Sequence, residues 1–268
     1  MIDLGKRSLL GVGVNAIDYE AAVQRVLQYA MAGRGLTVSA TAVHGLMDAH
    51  LNMQQRYRLN KFDLVVPDGQ PLVWALNRLW KTELTERVYG PKLTELICGE
   101  AARLGLSCYF YGSHAANLER LRKNLCERYP TLKIAGCSPS LFRRCSAAEK
   151  EEIAERIRTS GAQIVFVGLG CPRQEVWAYE YSGLLEMPLI AVGAAFDFLA
   201  GTLPQAPAWM QSRGLEWIFR LAQEPGRLWK RYLPLNPLFV LLIITQWLSG
   251  PGLFSSAGTP PLEELRYA

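Results

Sequence analysis

The chain is poor in the residues that build metal and disulfide frameworks. Among its 268 residues there are three histidines and six cysteines, and no two cysteines form a Cys-x-x-Cys pair. A zinc site is therefore not predicted, and a chain of this length with so few cysteines is not a disulfide scaffold. The simplest interpretation is a set of reduced thiols in the cytosol.

Several short catalytic and membrane signatures are also missing. The sequence contains no Walker A loop, no Gly-x-Ser-x-Gly, no His-Glu-x-x-His and no Asp-x-Asp. The glycines that follow Lys6 and Arg7 exclude a signal peptide. The longest apolar run, Leu238 to Ile244, is shorter than the roughly 20 residues of a spanning helix. We therefore expect no segment that crosses a bilayer alone.

What is present is typical of a folded α/β protein. Half of the residues are hydrophobic and 20% are charged, which is enough apolar material for a sizeable core. Short apolar runs alternate with helical patterns, and this alternation predicts a Rossmann-like, doubly wound, mainly parallel sheet. We expect this α/β core over residues 1–203 and a helical appendage over 204–268. The predicted strands are Leu36–Ala40, Leu64–Val66, Cys108–Tyr111, Ile164–Val167 and Leu189–Val192.

Ligands of open α/β sheets bind at the carboxyl ends of the strands, so the residues that follow each strand are the first candidates. Asp68 follows the second predicted strand, where it can serve as a general base or cap the next helix. Gly168-Leu169-Gly170-Cys171-Pro172-Arg173-Gln174-Glu175 follows a later one and suits a phosphate at a helix entrance, although an ordinary turn is the alternative. After the last predicted strand, Gly193 precedes Asp197, which can bind a ribose or base or cap a short helix.

Three further features are weaker. Arg87 can bind a phosphate, but a lone arginine is more often a solvated surface charge. His44, Asp48 and His50 suggest a metal, yet helical spacing turns His50 away from the other two, so satisfied helix-end histidines are the better interpretation. Gly11-Val12-Gly13 resembles a dinucleotide fingerprint only loosely, and we interpret it as part of a strand. A Rossmann-type oxidoreductase is therefore the less favoured enzyme class.

The predicted appendage is basic and rich in tryptophan. Basic and aromatic side chains beside an apolar segment favour an interfacial helix on anionic lipid, and the apolar segment makes nucleic acid the less favoured partner. A helical packing face without a ligand is the remaining alternative. The residues concerned are Arg213, Arg220, Arg227, Trp229, Lys230 and Arg231.

Four strings, in order, resemble the WecG/TagA/CpsF glycosyltransferases over roughly residues 10–232. They are Val65–Gly69, Glu86–Gly90, Val167–Glu175, and Leu215–Arg220 followed by Glu224-Pro225. The resemblance implies inverting transfer of a sugar from a UDP-sugar to a polyprenyl-diphosphate-linked acceptor, in the synthesis of exopolysaccharide or teichoic-acid-type polymers. It also implies a peripheral location on the cytoplasmic side of the cell membrane. The oligomeric state, including a homo-oligomer, stays open.

The resemblance also carries roles to particular positions. Asp68 corresponds to the proposed base, and Thr41, Arg87 and Gln174 correspond to other active-site residues. Gly168, Gly170, Pro172, Gln174, Gly193, Asp197, Arg220 and Arg227 are expected at the donor, and His44, Arg213, Trp229, Lys230 and Arg231 at the acceptor or the membrane. Because no Asp-x-Asp motif is present, we expect no metal and no cofactor, with arginines neutralising the departing diphosphate.

Two positions depart from the family pattern. The family often has Thr-x-Asn where this chain has Thr41-Ala42-Val43, and Arg-Ala-Pro where it has Gln205-Ala206-Pro207. The donor sugar, glucose or N-acetylmannosamine among others, is left open by these differences. They also keep a non-enzymatic alternative, a sugar-nucleotide-binding subunit of a polysaccharide assembly complex.

Overall fold

The computed structural model describes all 268 residues and contains eight strands. The strands are β1 (Asp3–Leu9), β2 (Val12–Ile17), β3 (Leu36–Thr41), β4 (Leu64–Pro67), β5 (Ser107–Gly112), β6 (Lys133–Ser138), β7 (Ile164–Gly168) and β8 (Pro188–Ala191). Each predicted strand is present within about a residue of its expected limits. Two strands were not predicted: β1, which forms a hairpin with β2, and β6, whose first and last residues are polar.

Twelve helices surround these strands. The first is capped by Asp18, whose side chain accepts a hydrogen bond from the Ala21 amide at 2.9 Å. The helices are α1 (Tyr19–Met31), α2 (Val43–Leu51), α3 (Met53–Lys61), α4 (Gln70–Trp80), α5 (Gly90–Leu104), α6 (Ala115–Arg128), α7 (Ala147–Thr159), α8 (Arg173–Tyr181), α9 (Ala195–Leu199), α10 (Ala208–Ser212), α11 (Glu216–Gln223) and α12 (Pro225–Ser249).

Six strands form one parallel sheet in the order β4-β3-β8-β7-β5-β6. The central strands are buried on both faces, which explains their continuous apolar sequences. The sheet separates two apolar clusters of similar size, 33 and 30 buried residues, so helices cover both faces. This confirms the doubly wound, Rossmann-like prediction. The hairpin β1–β2 is a separate antiparallel pair, and its second strand contains the Val12-Gly13 segment that was interpreted as a strand.

The chain after residue 203 contains no strand, and α10, α11 and α12 confirm the predicted helical appendage. The boundary itself, 1–203 against 204–268, stays a prediction. The expectation that no segment is long enough to cross a bilayer was wrong, because the apolar run Leu238–Ile244 lies inside a helix of 25 residues that continues through Pro234 and Pro237. Counting only the uninterrupted run missed the rest of this helix. By length and composition α12 could cross a membrane, with a mean hydropathy of 1.4.

One face of α12 is docked on the core. Phe239 is buried in the larger apolar cluster, and α12 packs against α2 and α4. Gln246 is fully buried and ties the helix to the hairpin turn, since it accepts from the Leu10 amide at 3.0 Å and donates to the Ser8 carbonyl at 3.2 Å. The chain after α12 then returns over the domain, where the Glu180 carboxylate accepts from the amides of residues 265 and 266.

Candidate active site

The carboxyl ends of β3, β4, β7 and β8 place most of the predicted site residues along one edge of the sheet. Thr41 is the last residue of β3, and Asp68 follows β4 directly. Gly168 ends β7, and Gly193 lies two residues after β8. Because β3 pairs with both β4 and β8, and β8 with β7, residues distant in sequence become neighbours.

Asp68 is positioned by backbone hydrogen bonds on both sides. Its amide donates to the Thr41 carbonyl at 3.0 Å, which joins the ends of β4 and β3. Its carboxylate Oδ1 accepts from the Gly90 amide, the first residue of α5, at 3.1 Å. The alternative that Asp68 caps the helix after it is wrong, because α4 begins after Gly69 and has no side-chain cap. The carboxylate contacts the start of a different helix, which only the fold brings near.

The surroundings of Asp68 make it a base of moderate strength. Burial raises the pKa of its carboxyl to about 6, and the nearby Glu216 charge adds to this rise. The cations Arg87 and Arg220 and the Gly90 amide act in the opposite direction. A carboxylate with a pKa close to neutrality accepts a proton more readily than an ordinary aspartate while still being ionised at neutral pH.

Arg87 links the sheet edge to the appendage. Its Nη2 atom lies 2.7 Å from Glu216 Oε2 and donates to Gln211 Oε1 at 2.8 Å, and both partners belong to the appendage. The guanidinium also lies 4.1 Å from the centroid of the Tyr89 ring. The side chains of the Arg87–Glu216 pair are only 13% and 14% exposed, so Arg87 is not a solvated surface arginine. Neither Glu216 nor Gln211 was predicted as a partner of Arg87.

Gln174 belongs to a buried hydrogen-bond network that spans β3 and the start of α8. Its Oε1 accepts from the Gly170 amide at 3.1 Å, and its Nε2 donates to Glu175 Oε1 at 2.9 Å. Ser39 Oγ donates to the same Glu175 oxygen at 3.1 Å and lies 2.9 Å from Thr41 Oγ1. Two predicted residues, Thr41 and Gln174, are thus joined through two that were not predicted.

The glycines around this network leave room for close approach. A Cβ at Gly193 would lie 2.9 Å from Gln174 Oε1, and Gly193 has a φ of +53°, so both space and backbone favour glycine. A Cβ at Gly168 would lie 2.6 Å from the Phe196 ring. Gly170 has a φ of +77°, and Pro172 lies just before the first residue of α8. Pro172 therefore stands at the helix entrance, as expected from the sequence.

Asp197 lies in the first turn of α9, whose own N-terminus has no side-chain cap. Its Oδ1 accepts from Asn117 Nδ2 at 2.7 Å, and Asn117 Oδ1 accepts from the Thr202 hydroxyl at 2.9 Å. Burial raises the pKa of Asp197, whereas Arg220 and Arg227 act to lower it. Asn117 was not predicted as a site residue, although it is polar and follows β5 closely. Polar residues after other strands were predicted as site residues for that reason.

His44 lies at the start of α2, beneath the appendage. Burial, and then the charges of Arg231 and Arg220, lower the pKa of His44 to about 3, so its imidazole is neutral at physiological pH. No hydrogen bond satisfies its ring, in contrast to His50, whose Nδ1 lies 2.8 Å from the Leu10 carbonyl oxygen. The satisfied helix-end interpretation is therefore confirmed for His50 and wrong for His44, which faces two arginines.

The predicted cations of the appendage differ in their surroundings. Arg220 and Arg231 form no ion pair, and the buried Nε of Arg220 has no hydrogen-bond partner. Arg227 instead pairs with Glu224 and is exposed. Three other appendage residues, Arg213, Trp229 and Lys230, are exposed and make only local contacts, with Arg213 5.9 Å from the Trp209 ring centroid and Lys230 5.5 Å from that of Trp229.

Taken together, the edge offers a half-buried carboxylate of raised pKa beside Arg87, which is paired with Glu216, and Arg220, which has no ion-pair partner. No group of three or more histidine, cysteine, aspartate or glutamate side chains lies close enough to hold a metal ion. Independence from metals and cofactors stays a prediction. The arrangement can accept a proton at Asp68 and stabilise an anionic group beside Arg220.

Comparison with known proteins agrees with this chemistry. The chain is 29% identical over 189 residues to an N-acetylglucosaminyldiphosphoundecaprenol N-acetyl-beta-D-mannosaminyltransferase of Bacillus subtilis (strain 168), covering 70% of this chain and 71% of the relative. It is 28% identical over 202 residues to the enzyme of the same name from Bacillus spizizenii, covering 74% of each. The model of the glycosyl transferase WecG/TagA/CpsF family matches residues 7–252. This chain is therefore a glycosyltransferase that belongs to the WecG/TagA/CpsF family.

Proposed function

We propose that the protein transfers a sugar, with inversion, from a UDP-sugar to a sugar linked to polyprenyl diphosphate, at the cytoplasmic surface of the membrane. The observation that carries this proposal is the half-buried Asp68 carboxylate of raised pKa, which lies near Arg87 and Arg220 at the carboxyl edge of the sheet. The two relatives are transferases whose names give N-acetylglucosaminyldiphosphoundecaprenol as the acceptor. A UDP-sugar donor and a polyprenyl-diphosphate-linked acceptor both carry a negatively charged diphosphate, which matches the positively charged arginines near Asp68.

In the proposed reaction Asp68 acts as the general base. The acceptor hydroxyl oxygen attacks the anomeric carbon of the donor and forms the new glycosidic bond, while its proton passes to the Asp68 carboxylate. At the same time the bond from the anomeric carbon to the β-phosphate oxygen breaks, and UDP leaves with the electron pair. The raised pKa of Asp68, about 6, suits this transfer because the group is ionised at neutral pH and still binds a proton well.

The leaving diphosphate gains negative charge, and arginines are the proposed stabilisers. Arg220 has no ion-pair partner, and its charge reaches Asp68, His44 and Asp197. A planar guanidinium can bind two phosphate oxygens at once. Arg227 and Arg231 are the secondary candidates, since Arg227 is already paired with Glu224. No metal ion takes part in this proposal.

The nucleoside and the acceptor are assigned to different groups of residues. Asp197, with Asn117 beside it, is proposed to bind the uridine, because it is the first carboxylate in the chain after the glycine turn that follows β8. His44 and Arg231 are proposed to face the acceptor, where a neutral imidazole and a guanidinium offer hydrogen bonds to a sugar and its diphosphate. Val43 stands beside His44 and is the position where a change of acceptor or donor specificity is expected.

Attachment to the membrane is proposed to run along α12, without crossing the bilayer. One face of this helix is held on the core by Phe239 and Gln246, whereas the opposite face exposes apolar side chains beside Lys230. Leu241 and Leu248 are 61% and 73% exposed. A helix that is docked on one side and apolar on the other suits insertion into the interface parallel to the membrane. Transmembrane insertion would require the loss of the Gln246 contacts.

A panel of UDP-sugars, including UDP-N-acetylmannosamine and UDP-glucose, tests the reaction. Each donor is incubated with N-acetylglucosaminyl-diphospho-polyprenol, and both UDP release and the lipid product are measured with and without EDTA. We expect one donor to give product, EDTA to leave its rate unchanged, and the new linkage to have inverted stereochemistry. UDP binding without product from any donor would favour the sugar-nucleotide-binding subunit instead.

Sedimentation with vesicles tests the membrane part separately. The protein is mixed with phosphatidylcholine vesicles with and without phosphatidylglycerol, and the bound fraction is compared with that of two variants. We expect the double substitution Leu241→Ser and Leu248→Ser to reduce binding strongly, since each removes exposed apolar surface. Lys92→Glu, an exposed charge on α5, is the control and should bind like the wild type. Equal binding of all three would contradict attachment through α12.

A further inference from the structure

A second carboxylate, that of Glu175, is buried beneath the site and has no role in the proposed reaction. It is 3% exposed and follows Gln174 in the first turn of α8. Its Oε1 accepts two hydrogen bonds, one from Gln174 Nε2 and one from Ser39 Oγ, at 2.9 and 3.1 Å. Its Oε2 is buried without a hydrogen-bond partner. Burying a carboxyl group away from water costs free energy, so the presence of Glu175 at this position requires an explanation.

The hydrogen bonds to Glu175 fix the direction of every donor in the network. Ser39 has a single hydroxyl proton, which it gives to Glu175, so the 2.9 Å contact between Ser39 and Thr41 must use the Thr41 proton. Thr41 then presents only acceptor lone pairs to a ligand. This direction holds whether or not the carboxyl is protonated at Oε2, because Oε1 accepts in either case.

Gln174 is oriented in the same way. One proton of its Nε2 is given to Glu175, and its Oε1 accepts from the Gly170 amide at 3.1 Å. The amide cannot rotate by half a turn without placing its NH₂ group against the Gly170 N–H. Gly193, at the end of β8, is close enough that a Cβ there would lie 2.9 Å from Gln174 Oε1. The Glu175 carboxylate thus orients Thr41 at the end of β3 and Gln174 in the helix that follows β7, on either side of β8.

We propose that Glu175 is a positioning residue for sugar transfer, holding the Gln174 amide and, through Ser39, the Thr41 hydroxyl in the orientation that the substrates require. The role rests on the proposed function, since it concerns the same site. Glu175 does not touch the reacting atoms and acts only through its two neighbours. Burial raises the pKa of Glu175, whereas the hydrogen bonds that it accepts from Gln174 and Ser39 act in the opposite direction.

Two substitutions separate positioning from simple stability. Glu175→Gln keeps a carbonyl Oε1 that can accept both hydrogen bonds, whereas Glu175→Met has a similar shape and cannot accept them. Val176→Ala is the matched control, because Val176 is the next residue of α8, is 1% exposed and belongs to neither the network nor the site. Circular dichroism and thermal melting establish which samples are folded.

The first readout needs no substrate. Amide hydrogen exchange at Gly170 reports the bond to Gln174 Oε1, and the affinity for UDP is measured on the same samples. We expect Glu175→Met to speed Gly170 exchange at least about tenfold and to weaken UDP binding, while Glu175→Gln and Val176→Ala remain close to the wild type. Unchanged Gly170 exchange in Glu175→Met overturns the proposal, even if no donor tried is turned over.

The second readout is the steady-state rate. Misplacement of a substrate-binding group by a fraction of an ångström to 1 Å can reduce rates by up to about 100-fold, so we expect kcat/KM to fall between about 10- and 100-fold in Glu175→Met. Glu175→Gln should restore most of it, and Val176→Ala should change it less than about twofold even if its melting temperature falls. Equal kinetics in the folded Met and Gln variants would leave Glu175 a structural residue only and overturn the proposal.

Discussion

The sheet edge and the appendage contribute different kinds of group to the candidate active site. At the sheet edge, Thr41 and Gln174 are buried and their polar atoms are hydrogen-bonded to fixed partners. In the appendage, Arg220 and Arg231 have no ion-pair partner, and α10 and α11 contain no buried residue. The sheet edge is thus preorganised before a ligand binds, whereas the appendage carries unpaired positive charge that attracts an anion.

An anionic substrate is therefore expected to gain most of its stabilisation from the appendage. A network of internal hydrogen bonds offers geometry but little additional charge, while a partly buried guanidinium without a partner gains most when a phosphate binds. Arg87 is the one predicted cation that belongs to both regions, because it extends from the sheet edge to Glu216 of α11. Substitutions in the two regions should therefore affect turnover, ligand binding and stability in different proportions.

The largest effect is expected at Asp68. Asp68→Asn keeps an oxygen that can accept from the Gly90 amide but cannot accept the acceptor hydroxyl's proton, so turnover should fall about 10²–10⁴-fold with UDP affinity largely kept. Since burial disfavours the charged carboxylate, we expect no loss of melting temperature at pH 8. Asp3→Asn in the hairpin serves as the control for rate and melting. Turnover that survived Asp68→Asn would place the base elsewhere.

A smaller loss is expected in the appendage. Arg220→Ala removes a charge from the leaving group, and we expect kcat/KM to fall about 10²–10³-fold with stability unchanged or higher, because no ion pair is broken. Arg227→Ala, on the same side but already paired with Glu224, should lose much less. Steady-state kinetics and thermal melting of both variants test the difference. If Arg227→Ala were the more damaging, the assignment of the diphosphate to Arg220 would be wrong.

The pH dependence should follow Asp68. Its pKa is raised to about 6, and the base must be ionised to act, so kcat/KM should be constant well above pH 6 and lost as the pH falls through that value. Below the pKa the rate should fall about tenfold per pH unit. A pH–rate profile from pH 4.5 to 8.5 on protein shown to be folded throughout measures this limb. A limb near pH 4 would indicate a base that is not buried.

The smallest effect concerns the connection between the two regions. Glu216→Gln breaks the ion pair with Arg87, which is mostly buried, and should lower the free energy of unfolding by about 1–2 kcal/mol. Because the Glu216 charge helps to raise the pKa of Asp68, the acidic limb should also move to lower pH. Chemical denaturation and the same pH–rate profile test both expectations. Glu83→Gln, an exposed carboxylate outside any ion pair, is the control.

The amino-acid sequence determined the layers of the fold. Continuous apolar runs such as Leu64–Val66 predicted the strands of the central sheet, which are buried on both faces. The Gly-rich turns after the strands predicted which edge carries the site, because all parallel strands end on the same side. These signals are local, so they can be read along the chain. The strand β6 and the full length of α12 were missed, since exposed edges and internal prolines break such patterns.

Only the tertiary structure decided which of these residues meet. Asp68 bonds to Gly90 and not to the helix that follows it, and Arg87 pairs with Glu216, more than a hundred residues away. The network through Glu175 likewise depends on β3 and β7 flanking β8. Hydrogen-bond partners and pKa values depend on burial and distance in three dimensions, and neither is written in the spacing of residues along the chain.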